Sequence, residues 1–204
     1  MKLAMNLMPG YKVCDYLLVV VPHDELASRI AGIRKEFAEE FKMTSILSSK
    51  PNLALVRFKQ FEMKEERIIN KLKVIAMGHA PFKVELKDFG SFPSHTILIN
   101  VTSKLPIQEL IRQVRSESQS LMKLDDENKP HFIMEPHFTI GQKLKPWQYE
   151  AGWLKYSHKR FTGKFIADSM LLLKRPEGTN GWQIARRFEF ENLPVVTKQG
   201  QLFA

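Results

Sequence analysis

The 204-residue chain has a single cysteine, Cys14, so it cannot form an internal disulfide. Cys14 lies in an apolar run that extends to Val21, which is typical of a buried thiol in a reducing compartment. The longest uncharged apolar stretch, Tyr16 to Pro22, is far shorter than the roughly 20 residues that a membrane helix needs. The sequence therefore predicts a cytoplasmic protein without a membrane span.

Two common cofactor signatures are also missing. No glycine-rich phosphate loop followed by Lys and Ser or Thr occurs, so the motifs imply no nucleotide cofactor. His131 and His137 are six positions apart and do not form a recognised metal-binding spacing. We therefore expect neither a cofactor nor a metal.

Positive charge, by contrast, is abundant. The chain has 31 Lys and Arg against 22 Asp and Glu, a net charge of +9 and a pI near 9.6. Such an excess favours anionic partners, namely phosphates, nucleotides or RNA, because clustered cations raise the local anion concentration. Solubility alone explains the charge equally well.

Secondary-structure patterns recur along the chain. Asp15 to Val21 is typical of a buried strand, and Asp24 to Phe41 has apolar residues at helical spacing. Thr96 to Val101 is again strand-like, and Pro106 opens a second helix with an apolar stripe. The two halves can therefore be overlaid.

The repeat continues in the segments that follow. Pro51 and Pro136 are 85 positions apart, and each opens a strand-like segment. After the first comes a helix at 65–77 and a strand from Phe82. After the second comes a helix at 147–160 and a strand from Phe165. This order predicts an α/β (α+β) protein, a single bilobal domain over residues 1–204 with pseudo-twofold lobes at about 14–92 and 94–190 that exchange strands.

Turn residues complete this map. The segment Asp88–Ser94 is rich in turn formers and is predicted to connect the lobes. Pro176–Gly181 predicts a hairpin turn between strands at Phe165–Lys174 and Trp182–Phe190. The tail after Asn192 is expected to be irregular.

The strand after Pro136 carries residues suited to phosphate chemistry. Alternation along a strand places His137 and Thr139 on one face. An imidazole exchanges protons near neutral pH, and a hydroxyl two residues on can donate to a phosphate oxygen. The same parity predicts that Gly141 leaves room for a ligand and that Lys143 supplies a cation. The alternative is a core histidine beside a strand threonine.

Pro136-His137-Phe138-Thr139-Ile140 resembles one of the two H-x-[ST]-hydrophobic motifs of the two-histidine (2H) phosphoesterases, which include the 2′-5′ RNA ligases and 2′,3′-cyclic phosphodiesterases. The element order from about Cys14 to Phe190 is similar to that of the family throughout. The tetrapeptide alone is weakly specific, but its register within the repeat is much more specific. The resemblance implies two such motifs on pseudo-symmetric strands that line one cleft. It also implies that two sheets containing antiparallel strands flank this central cleft, with the helices outside.

The first motif departs from the family pattern, because Asn52 and Ala54 replace its histidine and its Ser or Thr. The resemblance implies that one histidine acts as general base and the other as general acid. His137 and Thr139 match the catalytic pair of the second motif, whereas Asn52 can bind a phosphate oxygen but has no proton to exchange near neutral pH. Losing one such group typically costs roughly 10² to 10⁴ in rate.

We therefore expect a protein that binds RNA or nucleotide ends with a 2′,3′-cyclic phosphate or a 2′-5′ phosphodiester, and hydrolyses or ligates them slowly. The alternative is a catalytically inactive nucleotide- or RNA-binding module that keeps the cleft. An RNA-recognition sheet is disfavoured because its aromatic, glycine-containing consensus is not visible. His95 lies off the repeat register, which favours a structural role at a loop edge, but it is the first candidate for a substitute proton carrier. We expect a monomer.

Overall fold

The computed structural model describes residues 11–43, 49–93 and 95–194. The elements in these ranges are β1 Val13–Val20, α1 Asp24–Glu40, β2 Leu53–Phe61, a 3₁₀ turn Glu62–Lys64, α2 Glu65–Gly78, β3 Phe82–Phe92, β4 Thr96–Val101, α3 Lys104–Met122, β5 His131–Phe132, β6 His137–Gln142, α4 Pro146–Tyr156, β7 Thr162–Ala167, β8 Ser169–Pro176 and β9 Gln183–Glu189. Most of the tail expected to be irregular, residues 195–204, lies outside the described residues.

The strands form two antiparallel sheets. The first sheet has the order β5-β2-β1-β8-β9 and the second has the order β6-β4-β3-β7. The predicted repeat is confirmed: β1-α1-β2-α2-β3 is followed by β4-α3-β6-α4-β7, with the short β5 inserted before β6. This mixed α/β architecture is the predicted fold class.

Each sheet takes elements from both halves of the chain. β3 pairs with β4 in the second sheet, whereas β8 pairs with β1 in the first. Helix α1 follows a strand of the first sheet but packs on β6, and α3 follows a strand of the second sheet but packs on β2. Division into lobes at 14–92 and 94–190 stays a prediction.

Two expectations about strand ends are wrong. The predicted connector at Asp88–Ser94 is strand as far as Phe92. Asp88 adopts a left-handed conformation (φ 55°) at an irregularity in the pairing of β3 with β4. Its carboxylate accepts hydrogen bonds from Arg160 and from the Phe161 amide, so the strand continues past this residue. The predicted single strand Phe165–Lys174 is divided at Asp168 between β7 of the second sheet and β8 of the first. The break falls at the polar pair Asp168 and Ser169, which separates two apolar segments that the prediction had joined into one strand.

No helix in the described part of the chain combines the length and apolarity needed to cross a membrane.

Candidate functional site

The two motif strands carry the same irregularity at the same place. The pairing of β2 with β1 shifts so that Leu55 is an extra residue in the ladder. The pairing of β6 with β4 shifts so that Ile140 is the extra residue. Leu55 and Ile140 are 85 positions apart, which is the period of the sequence repeat. Each β-bulge re-aims the side chains next to it, so the two motif strands are equivalent in shape as well as in order.

In the described part of the chain, the two helices that contact the first sheet, α2 and α3, lie on one of its faces. Tyr16 of β1 points to that face, where its hydroxyl donates to Glu65 of α2 at 2.7 Å. Alternation along β1 turns Val19 to the opposite face, together with its cross-strand partner Ala54. Asn52, two residues before Ala54, shares this helix-free face.

The second sheet has the same arrangement. Ile97 of β4 points to α4, where it lies against Gly152. Alternation turns Leu98 and Asn100 to the helix-free face, together with their partners on β6, which are Thr139 and His137. Both motif pairs therefore lie on the faces that the helices leave free.

Arg34 of α1 joins the two motif strands. Its Nε donates to the backbone oxygen of Thr139 at 2.8 Å, and one terminal nitrogen donates to the backbone oxygen of Ser49, just before β2, at 3.3 Å. The β2 and β6 strands also contact each other. One guanidinium thus spans the seam between the sheets and ties the segment before β2 to β6.

Arg34 is itself unusual, because it is only 5% exposed and its hydrogen bonds to the described residues are to the backbone carbonyls of Thr139 and Ser49. Burial lowers its pKa to about 10. A guanidinium at this pKa stays charged at neutral pH, so it places a fixed positive charge beside the strand of His137. Its sequence signal is a cation at the helical spacing of the apolar residues Ile30 and Phe37 of α1, which we did not identify as functional.

His137 is held in one orientation. Its Nδ1 lies 2.7 Å from the backbone oxygen of Glu135, which fixes Nδ1 as the donor and leaves Nε2 to face a ligand. The ring of Phe92 contacts the imidazole edge to face, with 4.9 Å between centroids. Burial lowers the pKa of His137 below its ordinary 6.5, against the opposing effect of the Glu135 carbonyl. The imidazole is therefore neutral at pH 7, as a general base requires.

Asn52 copies this arrangement with an amide. Its Nδ2 donates to the backbone oxygen of Lys50 at 2.9 Å, the carbonyl two residues earlier, as Glu135 is for His137. Asn52 and His137 are both half-buried, as are Ala54 and Thr139. The first motif thus keeps the placement of the second and differs in chemistry.

Gly141 does not leave room for a ligand. A Cβ at this position would lie 2.5 Å from the Phe37 ring of α1, so Gly141 faces the helices. The Ile140 bulge explains the error, because one extra residue reverses the parity after Thr139. Lys143 lies past the end of β6 in a left-handed conformation (φ 55°) and is exposed, so strand parity does not place it on the face of His137 either.

Asn100 is a polar residue of this face that the sequence analysis missed. It is the cross-strand partner of His137, and its amide lies over Gly90, where a Cβ would be 2.3 Å from Oδ1. Its sequence signal is a single amide in the otherwise apolar strand Ile97–Val101 at the parity of the cleft. His95 is exposed in the turn between β3 and β4, with its Nδ1 2.9 Å from the Pro93 oxygen.

Among the residues that the structure describes, no three His, Cys, Asp or Glu side chains converge as metal ligands would.

The sequence profile of the 2′-5′ RNA ligase superfamily matches residues 22–179, a range that includes both motif strands. The chain belongs to this superfamily. Within it, the second motif of this chain is intact and the first has Asn52 and Ala54. No curated protein sequence matches the chain.

Solved structures with the same fold include Escherichia coli LigT and the protein TT0787 of Thermus thermophilus. The structure is similar to Escherichia coli LigT in its apo form, with a TM-score of 0.61 and 12% identity over 88% of this chain and 98% of that one. LigT complexed with 3′-AMP gives a TM-score of 0.56 and 11% identity over 88% of this chain and 98% of that one. The protein TT0787 of Thermus thermophilus gives a TM-score of 0.57 and 14% identity over 87% of this chain and 98% of that one. At such identities the likeness establishes the fold.

Proposed function

We propose that the chain binds the phosphate of an RNA or nucleotide end between Asn52 and His137 and slowly hydrolyses a 2′,3′-cyclic phosphate or a 2′-5′ phosphodiester. The observation that carries this proposal is the shared hydrogen-bond geometry of the two residues, each tied to the carbonyl two positions earlier. An amide held in the place of an imidazole keeps a donor for a phosphate oxygen. LigT, a structural relative, is known in complexes with 3′-AMP and with phosphate.

Each residue has a separate task in this proposal. Neutral His137 takes the proton of the attacking water or hydroxyl, and Thr139 donates to a phosphate oxygen. Asn52 donates to another phosphate oxygen, and the fixed charge of Arg34 favours the anion. Ala54 supplies no hydroxyl, so Thr139 is the hydroxyl donor of the two motifs in this proposal. The proposed site does not include Gly141 or Lys143, since Gly141 faces Phe37 of α1 and Lys143 lies past the end of β6.

The test is turnover of a 2′,3′-cyclic nucleotide by the wild-type protein, His137→Ala and the control His158→Ala. His158 is exposed beyond the end of α4. We expect His137→Ala to lose about 10² to 10⁴ in rate and His158→Ala to match wild type. Equal turnover by all three removes His137 from the chemistry.

A non-catalytic RNA or nucleotide sensor is the second candidate, favoured by the missing proton carrier at Asn52 and the missing hydroxyl at Ala54. It predicts phosphate binding that Thr139→Val weakens about tenfold or more, since a hydrogen bond to a charged group contributes about 1.5–3 kcal/mol, with no turnover by wild type. Cytoplasmic location and a monomeric state remain predictions.

A further inference from the structure

The helix-free face of the first sheet continues along β2 beyond the motif residues. Leu17 of β1 pairs with Arg57 of β2, and Val19, two residues further along β1, is the partner of Ala54. Residues two apart in a regular strand share a face, and so do cross-strand partners. The Leu55 bulge lies between the two pairs, so Arg57 shares the face of Ala54 although it is three residues away.

His131 of the edge strand β5 adds an imidazole at the same place. It pairs directly with Arg57. Its neighbour Phe132 faces the helices, where the Arg115 guanidinium of α3 lies 5.8 Å from the ring centroid. Alternation therefore turns His131 to the helix-free face. Directly opposite side chains of antiparallel strands have Cβ atoms about 4.5–5.5 Å apart, so Arg57 and His131 can contact one small anion together.

No described residue occupies the polar ends of Arg57 and His131. Both side chains are exposed, and neither makes a hydrogen bond or an ion pair within the part of the chain that the structure describes. Asp15, an acidic residue on the same face of β1, pairs instead with Arg175 at 2.8 Å and with Lys59 at 3.8 Å. A guanidinium and an imidazole opposite one another thus keep N–H donors for an anion from solution.

The chain connects this pair to the motif residues. The Ile133 amide donates to the Leu55 oxygen at 2.9 Å, so the segment after β5 continues beside β2 in the antiparallel sense. It runs from Arg57 toward the end of β2 that carries Asn52, and β6 then begins at His137. Arg57 and Asn52 therefore lie along one strip of the sheet.

The length of this strip exceeds a single nucleotide. Asn52 and Ala54 are one step of side-chain alternation apart, and Ala54 and Arg57 are one further step apart in the ladder with β1. At about 3.3 Å per residue, two steps of two residues span about 13 Å. Stacked nucleotides of one strand are about 3.4 Å apart along the axis, so this span corresponds to about four stacked nucleotides and to fewer when the strand is extended.

We propose that Arg57 and His131 form a second phosphate subsite, which binds the backbone of a single-stranded RNA whose terminal phosphate lies between Asn52 and His137. The proposal rests on the proposed function and narrows its ligand from RNA or nucleotide ends to RNA ends. The Arg57 guanidinium binds phosphate oxygens with its forked N–H groups, and His131 adds one donor to the same phosphate. A mononucleotide is too short to occupy both subsites.

The test compares two probes that both end in a 3′-phosphate, which contains no cyclic ester to hydrolyse. One is uridine 3′-phosphate, and the other is an oligouridylate of about six nucleotides, which is longer than the span between the subsites. Calorimetry measures both affinities. We expect wild type to bind the oligouridylate about tenfold or more tightly than the mononucleotide, because it makes additional hydrogen bonds to a charged phosphate.

Arg57→Gln should lose most of this difference and leave the affinity for the mononucleotide unchanged. His131→Ala should lose a smaller part of it. The slope of log affinity against log salt for the oligouridylate should fall by about 0.7 in Arg57→Gln, the value for one phosphate contact on a single strand. Arg112→Gln is the matched control, since Arg112 is an exposed arginine of α3, on the opposite side of the same sheet. It should leave both affinities unchanged.

Equal affinity of wild type for the two probes overturns the subsite, as does an oligouridylate affinity that Arg57→Gln leaves unchanged. Equal losses for both probes in Arg57→Gln also overturn it, because they assign Arg57 to the terminal phosphate. A loss in Arg112→Gln as large as that in Arg57→Gln overturns it by showing a diffuse charge effect. A wild type that binds neither the mononucleotide nor inorganic phosphate is a different result and overturns the proposed function itself.

Discussion

Asn52 and His137 make the same hydrogen bond, each with a side-chain nitrogen at the carbonyl oxygen two residues before it. The bond orients an imidazole in one strand and an amide in the other. The amide of Asn52 is still a hydrogen-bond donor, but unlike an imidazole it has no proton to exchange near neutral pH. The site is thus preserved in geometry and altered in chemistry at one position.

This relationship predicts that catalysis can be raised by restoring the first motif. In Asn52→His with Ala54→Thr, the Lys50 carbonyl should orient the new imidazole as the Glu135 carbonyl orients His137. We expect 2′,3′-cyclic nucleotide turnover to rise about 10²-fold or more. Adding His137→Ala to the double variant is the control and should abolish the gain. A double variant with unchanged turnover and intact folding contradicts the prediction.

Gly90 should matter for ligand binding through Asn100. A Cβ in Gly90→Ala would lie 2.3 Å from Oδ1 of Asn100, so the amide must leave its place beside His137. We expect phosphate affinity, measured by calorimetry, to fall in Gly90→Ala and in Asn100→Ala. The double variant should lose no more than Asn100→Ala alone, because the two changes act on one group. Additive losses would show that Gly90 acts in another way.

Gly141→Ala should act on stability and leave binding unchanged. The added methyl group would meet the Phe37 ring at 2.5 Å, and overpacking of this kind costs about 1–3 kcal/mol. Gly32→Ala is the matched control, because nothing lies within 4 Å of its added Cβ in α1 and alanine favours a helix by about 0.5–1 kcal/mol over glycine. Urea unfolding measures both. Weaker phosphate binding by folded Gly141→Ala would place this residue back in the site.

Burial of His137 should make the folded state sensitive to acid. Its pKa is lowered from 6.5 in the folded chain, so the unfolded chain binds the proton more readily. The stability that the neutral imidazole contributes is present above about pH 6.5 and is lost as the pH falls through the folded pKa. We expect wild type to lose more unfolding free energy than His137→Gln between pH 7.5 and 5. Parallel losses would contradict the assigned burial.

Arg34 should couple the two motif strands. Arg34→Met removes the donors to the Thr139 and Ser49 carbonyls and the buried charge, and an unpaired buried acceptor costs about 1–3 kcal/mol. We expect lower stability and weaker phosphate binding, with Arg34→Lys recovering part of the binding through its charge. Arg29→Met, at an exposed arginine of the same helix, is the control for a lost cation. Unchanged phosphate affinity in Arg34→Met would limit Arg34 to a structural role.

The sequence predicted the elements of the fold because their apolar patterns are strong and repeat. Thr96–Val101 has the limits expected from its pattern, and α1 differs from expectation by one residue at its end. Alternation also placed His137 and Thr139 on one face. It failed at Gly141, because the Ile140 bulge inserts a residue that an apolar sequence does not mark.

The residues that the sequence analysis missed belong to tertiary structure. Asn100 becomes a neighbour of His137 only through pairing of β4 with β6, and Arg34 reaches Thr139 only because α1 packs on the second sheet. Contacts across strands and helices of this kind are not encoded in spacing along one segment.

A crystal structure with phosphate soaked into the protein tests the central claim most directly. We predict the ion within hydrogen-bonding distance of the Asn52 amide, Nε2 of His137 and the Thr139 hydroxyl. Phosphate bound at another surface, with these three groups free at a saturating concentration, would contradict the account.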